Sequence, residues 1–138
     1  MQAETALFTR TYDETLDLIV ETRNYMVHLR PAARAAREFG ANPGETLRLS
    51  CEALRVTSRL TQVMAWLMLQ RAVHEGEISA YEACAEQNRL SGQSVCLDDS
   101  MGEDHEIPVG LRSLLNRSLR LYQRISRLEE MVVARVLH

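Results

Sequence analysis

The stretch from Asn42 to Gly76 carries the longest helical signal in the sequence and constrains the fold most strongly. Its start is encoded, because Asn42 can cap a helix, Pro43 suits the first helical position and Glu45 stands three residues after the cap. Gly76 is a suitable residue just past the helix end. Apolar residues recur at alternating steps of three and four on one face, at Leu49, Ala53, Val56, Leu60, Val63 and Leu67. We therefore predict one long second helix over this stretch.

The second half of this helix is apolar on more than one side. Every residue from Val63 to Leu69 is apolar, although the run is shorter than the roughly 20 residues of a membrane span. On a helical wheel, Trp66, Leu69 and Val73 lie away from the main stripe, so a second surface must cover them. Either the other helices bury them, or they form a subunit or partner contact. The sequence leaves both open and slightly favours a homodimer contact at these three residues.

A long helix is predicted on each side of this stretch. Helical spacing over residues 9–30 predicts helix one, with apolar residues at Phe8, Tyr12, Leu16, Ile19 and Met26. Pro31 should end or kink it, because the residue before a proline resists the α region, and the sequence AARAAREFG can hold a further helical turn or two before Gly40. Pro108 opens helix three, which runs close to the C-terminus with a stripe of Leu111, Leu114, Leu121, Ile125, Leu128 and Val132.

The connection between helices two and three is predicted to hold a short helix and an acidic loop. Ser79 with Glu82 forms a capping-box pattern, which predicts a short helix within residues 78–87. A chain of 138 residues is long enough for one core. We therefore predict a single domain over residues 1–138. Its fold class is all-α: an antiparallel three-helix bundle with an extra short helix and an acidic loop between helices two and three.

The acidic loop covers residues 88–107, which show no period and collect carboxylates. A calcium site of the EF-hand type would need a glycine at the sixth position, and counting from Asp98 that position is Glu103. The calcium interpretation therefore fails. We expect a solvated loop in which Asp98, Asp99 and Glu103 are available to partners.

Composition excludes several classes of protein. Only 5% of residues are aromatic and long β-branched runs are absent, which disfavours a sheet protein. A net charge of −3 gives no general attraction to nucleic acid. The N-terminal residues lack the order of a secretory signal, and three cysteines without CxxC spacing indicate reduced, structural thiols. We therefore expect a cytoplasmic protein.

No catalytic or metal motif is present in the sequence. The four histidines, His28, His74, His105 and His138, are scattered. His74 begins the sequence HEGE, which lacks the second histidine that a zinc-binding HExxH helix requires. No glycine-rich phosphate loop follows a strand. We therefore predict a protein that is not an enzyme and has no cofactor.

Helix three carries arginines along one face, at Arg117, Arg120, Arg124 and Arg127. Such a stripe could bind nucleic acid. The alternative is the solvated outer face of a bundle helix, with arginines meeting nearby glutamates or the acidic loop. A helix-turn-helix pair and interleaved aromatic residues are both missing, which favours the alternative. Arg117, Arg120 and Arg124 remain candidate partner-binding residues.

Arg71 is the arginine that the helical wheel places on the inward stripe of helix two. An unpaired charge there would be costly, so a carboxylate partner is expected. If helices one and two are antiparallel, Asp13 or Asp17 is the favoured partner, and Glu129 is less favoured.

Three segments resemble the RcdA family, named for regulation of CtrA degradation: RLTQVMAWLMLQRAVHEGEIS at residues 59–79, RSLRLYQRISRLEE at residues 117–130 and FTRTYDE at residues 8–14. The resemblance implies a dimeric helical bundle without catalytic activity. It also implies an adaptor that brings CtrA or other cell-cycle regulators to the ClpXP protease, together with the response regulator CpdR and the cyclic-di-GMP effector PopA. The competing interpretation is a nucleic-acid-associated regulator that uses the arginine face of helix three.

Overall fold

The computed structural model describes residues 2–40, 42–98 and 107–138, except the side chains of residues 2–5, 33, 36 and 37. Its helices are α1 (Gln2–Glu38), α2 (Pro43–His74), α3 (Ala80–Ala83), α4 (Gln93–Cys96) and α5 (Val109–Leu137), with a 3₁₀ turn at Glu86–Asn88. Within the described ranges there is no strand. The predicted all-α bundle of three long helices with an extra short helix is therefore confirmed.

Helix α1 is longer than the sequence pattern predicts, because it passes through Pro31 and ends at Glu38. A proline inside a helix removes one hydrogen bond and crowds the carbonyl four residues before it. The residues after Pro31 read AARAARE, a composition rich in strong helix formers, which offsets part of that cost. The prediction that Pro31 ends the helix at Arg30 is therefore wrong, whereas the further helical turns predicted before Gly40 are present as part of α1.

Helix α2 begins and ends as the sequence predicts. The Asn42 side chain accepts a hydrogen bond from the backbone N–H of Gly44 at 2.9 Å, and Pro43 is the first helical residue. At the other end Gly76 adopts φ +77°, a conformation that only glycine enters without strain. The predicted cap of α3 is also present, since Ser79 Oγ accepts from the Glu82 N–H at 3.0 Å.

The relative directions of the three long helices follow from the turn and the ion pairs between them. Helix α1 ends at Glu38, only a few residues before α2 begins at Pro43, and the two helices pack antiparallel. Glu21 pairs with Arg117 and Glu14 with Arg124, so residue numbers fall along α1 as they rise along α5. Because α1 is antiparallel to both partners, α2 and α5 run parallel to each other. The chain must therefore return along the bundle between α2 and α5.

Residues 75–98, here called the crossover segment, make that return as far as the structure describes it. The Ser91 N–H donates to Gln62 Oε1 at 3.0 Å, whereas Asp98, seven residues later, forms an ion pair with Arg55. The crossover segment therefore runs antiparallel to α2. Leu90, Cys96 and Ile107 are buried in the core. The prediction of a solvated loop over residues 88–107 is therefore wrong at Leu90, Cys96 and Ile107, and residues Gln93–Cys96 form the short helix α4 instead of a loop.

Arg59 is buried by the fold, with 1% of its surface exposed. Its guanidinium donates to the carbonyl oxygens of Cys96 at 2.6 Å, Asp98 at 2.8 Å and Leu115 at 2.9 Å. It also donates to Ser118 Oγ at 3.2 Å. One side chain therefore ties α2 to both the crossover segment and α5.

Arg71 does not occupy the buried position expected for it. It is exposed and pairs with Glu75 on its own helix, with Nε and Oε1 3.1 Å apart. The predicted partners Asp13, Asp17 and Glu129 are not used. The wheel places Arg71 inward, but the neighbouring helices leave this end of α2 open to solvent.

Candidate partner-binding surfaces

The arginine face of α5 packs against an acidic face of α1. Arg117 donates through both terminal nitrogens to the carboxylate of Glu21, and Arg124 Nη2 lies 2.8 Å from both carboxylate oxygens of Glu14. The hydrogen bonds from Arg117 lower the pKa of Glu21, and those same bonds raise the pKa of Arg117. Both pairs are about half exposed, so water screens them. They therefore set the orientation of α1 against α5 but contribute little to the free energy of folding.

The remaining arginines of this face line an open, charged channel of about 1260 Å³ between α1 and α5. Arg120 and Arg127 lie on one wall, and Asp13 and Asp17 on the other. A nucleic-acid stripe would present its arginines to phosphates without competing carboxylates. Here the α1 wall carries Asp13, Glu14, Asp17 and Glu21 together with Arg10. The arrangement favours the interpretation as a bundle face that meets nearby glutamates.

The acidic loop is described only at its start. Asp98 is half-buried, and its Oδ2 lies 2.8 Å from Arg55 Nη1, so this carboxylate anchors the crossover segment. It is not the freely solvated acid that the sequence suggests. Asp99 and Glu103 lie outside the described residues.

The three residues expected at a dimer contact differ in their burial. Trp66 is only 8% exposed and belongs to the core, so its assignment to an uncovered outer face is wrong. The chain itself covers the ring, because α2 packs against α1, α5 and the short helices α3 and α4. Leu69 and Val73 are half-buried. A dimer contact at these two positions stays a prediction.

An apolar groove between α1 and α2, here called the α1–α2 groove, is the feature that sequence reasoning missed. It has a volume of about 660 Å³. Its apolar lining comprises Ile19, Met26, Val27, Leu60, Met64, Ala65 and Met68. Thr57 and Thr61 also line it, but their hydroxyls donate back to carbonyls of α2 at 3.1 and 2.8 Å. The groove is therefore apolar in character even where hydroxyls lie along it.

Arg23 and Arg30 are the charged residues in the described lining of this groove, and both belong to α1. They are exposed, and no carboxylate within the described part of the chain pairs with either. The α2 side is uncharged over several turns. The sequence does contain a signal for this groove. Uncharged residues recur along α2 at alternating intervals of four and three, which places them on one face, and all of them are exposed: Leu54, Ser58, Thr61, Ala65 and Met68. It was masked by the stronger stripe of the buried face.

Comparison with known proteins identifies the family. A family model described as "Protein of unknown function (DUF1465)" matches residues 1–138. The crystal structure of RcdA from Caulobacter crescentus CB15 is similar to this chain, with 35% sequence identity and a TM-score of 0.67. That similarity covers 93% of this chain and 92% of the RcdA chain. The chain belongs to the RcdA family. A search of curated proteins gives no match.

Membership of the RcdA family confirms the resemblance seen in the three sequence segments. In this member of the RcdA family, no described helix is both long and apolar enough to cross a membrane. Among the residues described, no group of three His, Cys, Asp or Glu side chains is placed to hold a metal ion. Cys84 and Cys96 are buried as free thiols and Cys51 is exposed. Burial raises the pKa of the Cys96 thiol, which keeps it protonated and unreactive.

Proposed function

We propose that this RcdA-family protein is a non-catalytic adaptor that delivers cell-cycle regulators, such as a CtrA-like protein, to the ClpXP protease. Its partners are then the protease, CpdR-like and PopA-like regulators and the cargo. The similarity to RcdA carries the proposal, because it extends along 93% of this chain at 35% identity. The sequence resemblance to that family implies the adaptor role.

The surface chemistry is compatible with binding of proteins. An adaptor works by raising the local concentration of its cargo at the protease, and so it needs contact surfaces but no catalytic group. The α1–α2 groove supplies an apolar surface with a cationic edge, and the channel between α1 and α5 supplies a charged one. These two surfaces lie on different sides of α1. One molecule could therefore hold two partners at once.

We also propose that the protein acts in the cytoplasm as a homodimer. Leu69 and Val73 are half-buried within one chain. Trp66 packs in the core beside them and holds this part of α2 in place. Sedimentation of the wild-type chain tests the dimer. A monomer at high micromolar concentration would contradict it.

Reconstituted degradation tests the adaptor function. The reaction contains the protease, the partner regulators and a labelled CtrA-like cargo, and this protein is titrated into it. Tethering predicts that the rate of cargo loss rises with adaptor and then falls at excess, when separate adaptor molecules occupy cargo and protease. A rate of cargo loss that is unchanged at every concentration of this protein would refute the proposal. Binding of DNA or RNA with a steep salt dependence would instead support a nucleic-acid-associated regulator.

A further inference from the structure

The α1–α2 groove has the properties of a helix-binding site. Its floor is formed by Leu60, which is 3% exposed, and by Ile19, Met26 and Met64, which are half-buried. Met68 stands at its edge and is 60% exposed. An amphipathic helix that lays its apolar face between two helices removes such side chains from water, as in other helix-in-groove complexes. The surface that α1 and α2 leave open has the shape that one more helix would fill.

The groove is rich in methionine, which bears on the kind of partner it fits. Met26, Met64 and Met68 all line it. Methionine is unbranched and polarizable, so a methionine surface repacks around different apolar side chains. Surfaces that bind several partners use this property. The composition therefore favours a site for helices of varied sequence over one rigid, singular contact.

The charges on the edge of the groove restrict the partner further. Arg23 and Arg30 stand seven residues apart on α1, which is two helical turns or roughly 10 Å. No carboxylate lines the groove among the described residues, so its edge is cationic. A partner helix gains complementary charge when it carries acidic side chains beside its apolar stripe at a similar spacing. A basic partner would instead be repelled.

The α2 ridge of a second copy does not supply those acids. A two-fold contact would bring the exposed ridge of α2 from one copy against the groove of the other. Between Leu54 and Met68 that ridge contains no aspartate or glutamate. Arg23 and Arg30 would then be covered without a counter-charge. The charge pattern favours a different protein as the occupant.

We propose that the α1–α2 groove binds an amphipathic helix of a partner protein, which presents an apolar stripe to Met64 and Met68 and acidic side chains to Arg23 and Arg30. This inference names a partner-binding surface for the proposed adaptor, and its test measures binding without the protease. Failure of the degradation assay would leave the binding result standing. Failure of binding would leave the adaptor function standing with its cargo bound elsewhere.

The test uses two fluorescein-labelled synthetic helical peptides and the full chain, with binding followed by fluorescence anisotropy. Both peptides carry leucine at heptad positions a and d; one has glutamate beside this stripe and the other has lysine. We expect the acidic peptide to bind at least roughly tenfold more tightly. The double variant Arg23→Glu with Arg30→Glu should invert the preference. Both residues are exposed, so the variant should keep its helical content, which circular dichroism checks.

A matched pair of variants tests the apolar part of the site. Met68 and Met131 are each 60% exposed, but Met131 lies on α5 and does not line the groove. Met68→Asp should weaken binding of the acidic peptide about tenfold or more, whereas Met131→Asp should leave it unchanged. Equal binding of both peptides, or equal effects of both variants, would overturn the proposal. One further result would overturn the proposal: neither peptide binds, and Met68→Asp converts a wild-type dimer into a monomer in sedimentation. The groove would then be the contact with a second copy of this chain.

Discussion

Replacement of Arg59 by methionine should destabilise the fold and release the crossover segment. Methionine fills much of the space of the arginine stem but donates no hydrogen bond. The Leu115 carbonyl keeps a donor, because Ser118 Oγ lies 3.1 Å from it. The carbonyl oxygens of Cys96 and Asp98 lose the guanidinium, but Asp98 keeps the donor Arg55 Nη1 at 3.3 Å.

The magnitude follows from the burial of those two acceptors. A buried acceptor left without a partner costs about 1–3 kcal/mol. Cys96 is 1% exposed, so its carbonyl has little access to water, whereas the half-buried Asp98 carbonyl keeps its bond from Arg55. Relief from burying a charge offsets a further part. We expect a net loss of about 2 kcal/mol in the free energy of unfolding, or roughly 8 °C in Tm for a domain of this size.

Urea and thermal unfolding followed by circular dichroism measure this loss, and amide hydrogen exchange locates it. Exchange should accelerate over residues 90–98 more than over the middle of α2 or α5, because Arg59 holds that segment. Arg59→Lys should lie between wild type and Arg59→Met, since an ammonium cannot span carbonyls on two elements. Arg120→Met, at an exposed site, is the control and should change stability by less than about 0.5 kcal/mol. An Arg59→Met protein that melts within about 2 °C of wild type would refute the reasoning.

Three further predictions concern burial and charge. Trp66→Ala should cost about 3–5 kcal/mol in urea unfolding, and Trp66→Arg should unfold the chain; a folded Trp66→Arg monomer would show that the ring is not core. Burial raises the pKa of Glu129 above 4.5, although the Leu90 N–H lowers it in part. Folding therefore favours the protonated form, and stability is lost as pH rises from 4.5 through the raised pKa. Glu129→Gln should remove that loss, and parallel stability curves of wild type and variant from acid to neutral pH would contradict it. Glu21→Arg or Arg117→Glu alone should lower the free energy of unfolding by less than about 1 kcal/mol. In a double-mutant cycle the swapped pair should recover that loss, and an absence of coupling would mean that solvent screens the pair fully.

Local sequence signals decided the ends of α2 and the start of α3. Asn42, Pro43, Gly76 and Ser79 act on backbone groups within a few residues of themselves, so their effects need no knowledge of the rest of the fold. The apolar stripes likewise fixed which faces of α2 and α5 turn inward, because a 3.6-residue period has one buried side. The all-α class followed from these signals together.

The tertiary structure decided which charges are buried and which apolar residues stay in solvent. Arg59 and Arg71 both lie on helix α2. A helical wheel cannot show that the crossover segment covers Arg59 and leaves Arg71 exposed to solvent. The same return, forced by the parallel packing of α2 and α5, buries Cys96 and draws Asp98 onto Arg55. Contacts between residues distant in sequence set these outcomes.

The candidate sites divide in the same way. The sequence by itself placed Arg117 and Arg124 on one face of α5, because helical spacing alone determines a face. Only the tertiary structure brought Glu21 and Glu14 against them, and only it covered Trp66. The α1–α2 groove belongs wholly to the tertiary level, since a groove is the space between two helices and neither helix encodes it alone. Periodicity determines which way a side chain faces, whereas packing determines what it meets there.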